Sequence, residues 1–208
     1  MSAPGDQGPS APASDADEER RYRAVLDLDP AAPASAPLLL GRLDDPSWRV
    51  RSAAAERLAQ ADPAMAVPGL VAALGTDGSA GRRNAAAAAL VQVGAPALAP
   101  LVQALASPGA DLRTAAVEIL GDLADRRAVE ALAARLLDVS ANTRAAAAEA
   151  LGKIGGADAI AALGGCLGSG DPPLRRAALD ALARLRAPPP ASRLQELAKD
   201  RRDRKSVV

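Results

Sequence analysis

Histidine and phenylalanine are missing from this 208-residue chain, and cysteine, tryptophan and tyrosine occur once each, as Cys166, Trp48 and Tyr22. Without histidine the chain has neither the commonest general base near neutral pH nor the commonest metal ligand. A single cysteine excludes an intrachain disulfide and any metal site built from paired thiolates, and it fits a reducing compartment. Aromatics at 1% leave little to stack unpaired bases. An excess of either charge is also lacking: 25 basic residues balance 25 acidic ones, so no overall field draws the chain to nucleic acid or an anionic membrane. Residues 1–17 have neither a basic start nor a continuous apolar run, so no secretory signal or membrane anchor is expected there. A cytoplasmic protein is expected. The bias to Ala, Arg, Pro, Gly and Leu over Lys points to a GC-rich bacterial genome.

Alanine supplies 54 of the 208 residues. It has the highest helix propensity and lets helix axes approach closely, so the composition suits small-residue helix packing rather than a β-sandwich. Internal periodicity decides the arrangement. Leu39, Leu70, Leu101, Leu132 and Leu163 recur every 31 residues, and Leu43, Leu74, Leu105, Leu136 and Leu167 follow each by four. Ala36, Val67, Leu98, Val129 and Ile160 precede the first leucines by three, which completes an apolar helical stripe for a first helix, A. A second helix, B, is marked by Arg51, Arg83, Arg113, Arg144 and Arg175, each followed at the seventh position by Leu58, Leu90, Leu120, Leu151 or Leu182. The second unit carries one extra residue before its arginine and one fewer after its leucine.

Between A and B stand Asp45, Asp77, Ser107, Asp138 and Ser169, with Pro46, Gly78, Pro108 and Gly170 next in four units. Such residues end helix A, and Ser47, Ser79, Ser140 and Asp171 are placed to cap helix B. The expectation is an all-α solenoid of five helix-turn-helix units over residues 34–187. A disordered tail is expected at 1–13, a capping helix at 14–30, a second capping helix at 191–200 and a basic tail at 201–208. Polar terminal elements of this kind keep a stacked array soluble.

The strings VRSAAAERL from Val50, LRTAAVEILGDL from Leu112 and TRAAAAEALGKIG from Thr143 resemble the HEAT-like repeats named after phycobilisome bilin lyases. The resemblance covers residues 36–186 and implies an armadillo-like helical superhelix used widely in protein interaction, with some enzymatic members. It also implies that the B helices line the concave face. The second unit departs from it at Ala88, where an acidic residue is expected.

With the apolar stripe of B inward, the first, fifth and ninth residues after each arginine project to solvent. They are Ser52, Glu56 and Gln60; Asn84, Ala88 and Gln92; Thr114, Glu118 and Asp122; Ala145, Glu149 and Lys153; and Arg176, Asp180 and Arg184. With repeats about 10 Å apart and helices about 20 Å long, this face approaches roughly 1,000 Å², against about 800 Å² per partner in a standard interface. Five acids against three bases suggest another protein, with a basic segment, as the partner; the bland alternative is an ordinary solvated helix face. The arginines sit at the stripe's edge, where a structural role is expected: stem on the core, guanidinium on a turn Asp or a carbonyl of the adjacent unit. A ladder that reads carboxylates or phosphates of a ligand is the alternative.

No catalytic residue, metal site or cofactor is expected. HEAT-like iron hydroxylases need histidine beside glutamate, which this chain cannot supply. The glycines of GGADAIAALGG from Gly155 fall in a turn and a helix with no preceding strand, unlike a phosphate-binding loop. Cys166 is placed on the outer side of the fifth A helix as an inert thiol. Trp48 is expected to fill the gap between the leading helix and the first unit, with a partner anchor as the alternative. The leading function is a non-catalytic scaffold or adaptor. A bilin lyase-type subunit follows by family analogy, and nucleic-acid binding comes last because the face has more acids than bases.

Overall fold

A computed structural model describes residues 15–75 and 79–187. The tail 1–13, Ser14, Asp77, Gly78, the C-terminal capping helix 191–200 and the basic tail 201–208 lie outside the described residues. Among those described there is no strand. A leading helix, α1 (Asp15–Leu26), is followed by five helix pairs. These are α2 (Ser35–Arg42) with α3 (Trp48–Gln60), α4 (Pro63–Ala73) with α5 (Ala80–Val93), and α6 (Leu98–Ala104) with α7 (Ala110–Leu123). The last two are α8 (Val129–Arg135) with α9 (Ala141–Ile154), and α10 (Ala157–Cys166) with α11 (Pro172–Arg184).

The periodic leucines are the reason these helices stack. Leu39, Leu70, Leu101, Leu132 and Leu163 are fully buried, as are Leu58, Leu90, Leu120 and Leu151, with Leu182 at 2% exposure. Each unit is too small to bury both stripes alone, so neighbours complete one another's core, and removal of this apolar surface from water is what holds the array. In one layer α2 packs on α4, α4 on α6 and α8 on α10; the second helices pack on each other in another layer, and α1 joins that one by packing on α3. Val25 of α1 is fully buried there.

Local chemistry sets the helix ends. Ser79, Ser140 and Asp171 accept hydrogen bonds from Arg82 N, Thr143 N and Leu174 N at the starts of α5, α9 and α11. Ser47 occupies the same position before α3 but caps nothing, and its hydroxyl is buried without a partner. The leading helix stops at Leu26, short of the expected 30. α5 and α9 end on Gly94 and Gly155 at positive φ, whereas α7 ends on Ala124 at φ 52°, a left-handed conformation that costs an L residue about 1–2 kcal/mol.

Small residues set the spacing of the second layer. A Cβ on Gly121 would lie 2.8 Å from Cα and Cβ of Ala150, and one on Gly152 would lie 2.6 Å from Cβ of Ala181. α7, α9 and α11 therefore pack backbone against backbone. The equivalent pair between α3 and α5 is Ala59 and Ala89, and between α5 and α7 it is Val91 and Ile119. Those two positions carry β-branched rather than small side chains, and α5 and α7 touch far less than the other neighbours in their layer. A cleft of about 380 Å³ opens there, lined in part by Asn84, Asp111, Thr114, Glu118 and Asp122.

Candidate partner-binding face

Two of the ladder arginines, Arg113 and Arg144, bind the turns on both sides of them. Arg113, itself buried, donates from Nη1 to the carbonyls of Ser107 and Pro108 in its own turn, both at 2.9 Å. Its Nε and Nη2 clasp Asp138 of the following turn at 2.8 and 2.7 Å. Asp138 also accepts from Ser140 N, so the carboxylate joins two units and one helix start. Arg144 repeats the pattern with the carbonyls of Asp138 and Val139 and with Asp171. Arg51 donates to the carbonyls of Asp45 and Pro46, and Arg175 to that of Ser169. Arg83 belongs to the same register at the start of α5. For Arg113 and Arg144 the carbonyls come from the arginine's own unit and the carboxylate from the next one. Charge-assisted bonds of this type are among the stronger protein hydrogen bonds.

Two further rungs escape a reading of the arginine column. Arg21 of α1 clasps Asp45 through Nε at 2.8 Å, as Arg113 clasps Asp138. Its position 30 residues before Arg51 is the signal that marks it. Arg82 pairs with Asp44 at 2.8 Å across the first two units. The Arg113 hydrogen bond is the main reason Asp138 is held below the ordinary carboxylate range, and the Arg144 bond does the same for Asp171. Asp125, bonded by the Arg127 side chain and backbone, is lowered to about 2.

On the outward side of the second layer, Glu56, Gln60, Asn84, Gln92, Glu118, Asp122, Glu149, Lys153, Arg176, Asp180 and Arg184 are exposed. Ser52 and Thr114 are half-buried, and Thr114 shares a 2.8 Å hydroxyl hydrogen bond with Thr143. The charges divide by register. Asp122 is matched by Lys153 at 2.6 Å, and Asp180 lies 4.0 Å from Arg176. Glu56, Glu118 and Glu149, set at multiples of 31 residues, form no ion pair among the described residues. Glu118 borders the α5–α7 cleft; its carboxyl is pushed up chiefly by burial, with Glu149 and Asp122 adding to the rise and Lys153 opposing it.

Trp48 and Cys166 sit otherwise than the sequence suggests, and the exposed Leu137 and Val139 have no counterpart in that reading. Trp48 does not fill the gap beside the leading helix: 73% of it is exposed. Tyr22 lies half-buried on that core instead, with the Arg49 guanidinium 3.8 Å from its ring centroid. The indole begins α3, where the turn after Pro46 aims it away from α1. Cys166 is buried rather than on the outer side, its Sγ donating to Ala162 O at 3.5 Å, and burial raises its pKa. Leu137 and Val139 in the turn before α9 are 87% and 91% exposed, an apolar edge with no periodic signal in the sequence.

Among the described residues no cluster of three or more acids or thiols is arranged to hold a metal, and no single helix is long and apolar enough to cross a membrane. The HEAT-repeat profile matches residues 11–91, 98–183 and 138–207. Together these spans take in most of the chain, which belongs to the HEAT-repeat family. The crystal structure of human deoxyhypusine hydroxylase in complex with glycerol is similar, with 22% identity, a TM-score of 0.50 and coverage of 82% of this chain and 80% of that one. The complex of CpcE and CpcF of phycocyanin lyase from Nostoc sp. PCC7120 is similar at 27% identity and a TM-score of 0.56, covering 65% of this chain and 89% of that one. No curated protein matches the sequence.

Proposed function

We propose that this protein is a non-catalytic scaffold or adaptor of the bacterial cytoplasm that binds a basic segment of another protein across the second helices of its repeats. The observation that carries this reading is the register of Glu56, Glu118 and Glu149, three exposed carboxylates that form no ion pair among the described residues and lie on one face of the array. Carboxylates outside any ion pair in three of the five repeats give a negative stripe, which favours a cationic ligand through the field and through charge-assisted hydrogen bonds. The same stripe repels phosphate backbones and anionic lipid. The face is about the size a standard interface requires.

The test is a charge reversal. Glu118→Arg with Glu149→Arg alters exposed side chains only, so helicity by circular dichroism stays as in the parent. Binding of a fluorescent lysine- and arginine-rich peptide, and co-purification of the cellular partner, should both be lost. Retention of both interactions by a folded double variant would place the binding surface elsewhere.

A second reading rests on the likeness to CpcE and CpcF: one subunit of a lyase-type assembly acting on a phycobiliprotein. It expects a tetrapyrrole-dependent change in visible absorbance when this chain meets such a partner, and a source without phycobiliproteins would end it.

A further inference from the structure

The exposed Trp48 opens a groove that the acidic stripe does not explain. The groove, about 270 Å³, runs between α3 and α5 and is lined on one side by Trp48, Ser52 and Glu56 and on the other by Gly81, Ala85 and Ala88. Ala88 stands where the first, third and fourth units carry Glu56, Glu118 and Glu149, so the α5 wall is shallow at that position, with Asn84 and Gln92 one turn to either side of it. Arg51 also lines the groove, but its Nη1 is tied to the carbonyls of Asp45 and Pro46. Glu56 accepts from the Ser52 hydroxyl at 3.3 Å and forms no ion pair among the described residues. An aromatic face and a carboxylate outside any ion pair thus share one groove with the small residues Gly81, Ala85 and Ala88 of the α5 side.

The chain itself shows what suits its other aromatic ring. Arg49 lies over Tyr22 at 3.8 Å, while the indole of the adjacent Trp48 faces water. Tryptophan is the best cation–π acceptor among the side chains, and the planar guanidinium of arginine stacks on it while keeping its donors free.

We infer that this groove anchors an extended, arginine-bearing peptide segment, with one guanidinium stacked on Trp48 and a second basic residue facing Glu56. The inference deepens the proposed basic-segment reading and rests on it. Trp48 and Glu56 are eight residues apart on α3, about 12 Å at the helical rise. An extended chain covers that distance in about four residues, so the ligand pattern is an arginine followed or preceded by a basic residue about four positions away.

Trp48 is the sole tryptophan, so its emission reports the contact directly. The probe is the capped peptide Gly-Arg-Gly-Ser-Gly-Arg-Gly, with lysine and citrulline versions, followed by Trp48 fluorescence and by anisotropy of a labelled copy. The arginine peptide should change the emission saturably, the lysine version should bind less well, and the citrulline version should not bind. Trp48→Ala should weaken binding about five-fold, and Glu56→Gln should weaken it and flatten its salt dependence, with circular dichroism unchanged in both. A rise in anisotropy with no change in emission, and equal binding by Trp48→Ala, would overturn the anchor while leaving the acidic-face reading intact. Equal binding of the citrulline peptide, or stronger quenching by single-stranded oligothymidylate, would also overturn it. No binding by either readout at low salt would remove both readings.

Discussion

Replacing Gly152 by alanine tests the packing of the second layer against helix propensity, because the two push in opposite directions. Alanine is favoured over glycine in a helix interior by about 1 kcal/mol. At Gly152, however, the new Cβ would lie 2.6 Å from Cβ of Ala181 and 3.1 Å from its Cα. Carbon atoms rest at about 3.5–4.0 Å, so α9 and α11 must part by roughly 1 Å, and no flexible side chain can yield in their place. Overpacking of this kind costs about 1–3 kcal/mol. The net expectation is destabilisation of about 1 kcal/mol, read as a lower urea midpoint by circular dichroism. Gly165 in α10 is the control: it is exposed and nothing lies within 4 Å of a Cβ built there, so Gly165→Ala should raise the midpoint. The double variant Gly152→Ala with Ala181→Gly should recover most of the loss, since it moves the methyl from one helix to the other. If Gly152→Ala stabilised the protein as much as Gly165→Ala, the backbone contact between α9 and α11 would be refuted.

The same logic predicts that Ala124→Gly, which relieves the left-handed end of α7 at an exposed position, raises stability by about 0.5–1 kcal/mol in the same urea assay. Acid unfolding should begin only below the ordinary carboxylate range. Asp138, Asp171 and Asp125 have folded values below their unfolded ones, so their contribution is present above about pH 4 and is lost as pH falls through the folded values, about 2 for Asp125. Circular dichroism against pH checks this, and Arg113→Ala should move the transition upward. Glu118 shifts the other way, so it takes up a proton at a higher pH than an ordinary glutamate. Affinity for a basic peptide should therefore begin to fall above the usual glutamate range, and Glu118→Gln should remove that early component of the anisotropy profile.

The 31-residue period placed the leucines in the core before any coordinates, because helical spacing is a local property and an apolar stripe has only a neighbouring unit to bury it. The arginine column and the outward register of Glu56, Glu118 and Glu149 were legible for the same reason. The partners of the arginines were not: Arg113 takes a carboxylate 25 residues further on and Arg144 one 27 residues on, distances set by how each unit rests on the next. Nor did periodicity show that Trp48 turns outward, since a residue at the first position of a helix is aimed by the preceding turn rather than by the stripe.

The repeat and its helices were thus determined by the sequence alone. The spacing between them was decided in three dimensions, by which side chains meet across the second layer. Gly121 against Ala150 and Gly152 against Ala181 let their helices come together, while Val91 and Ile119 occupy the same register between α5 and α7, where the cleft that Glu118 borders lies. Steric contact between residues about 30 positions apart is invisible to a helical stripe, and it is this contact that sets how closely the helices of the second layer approach.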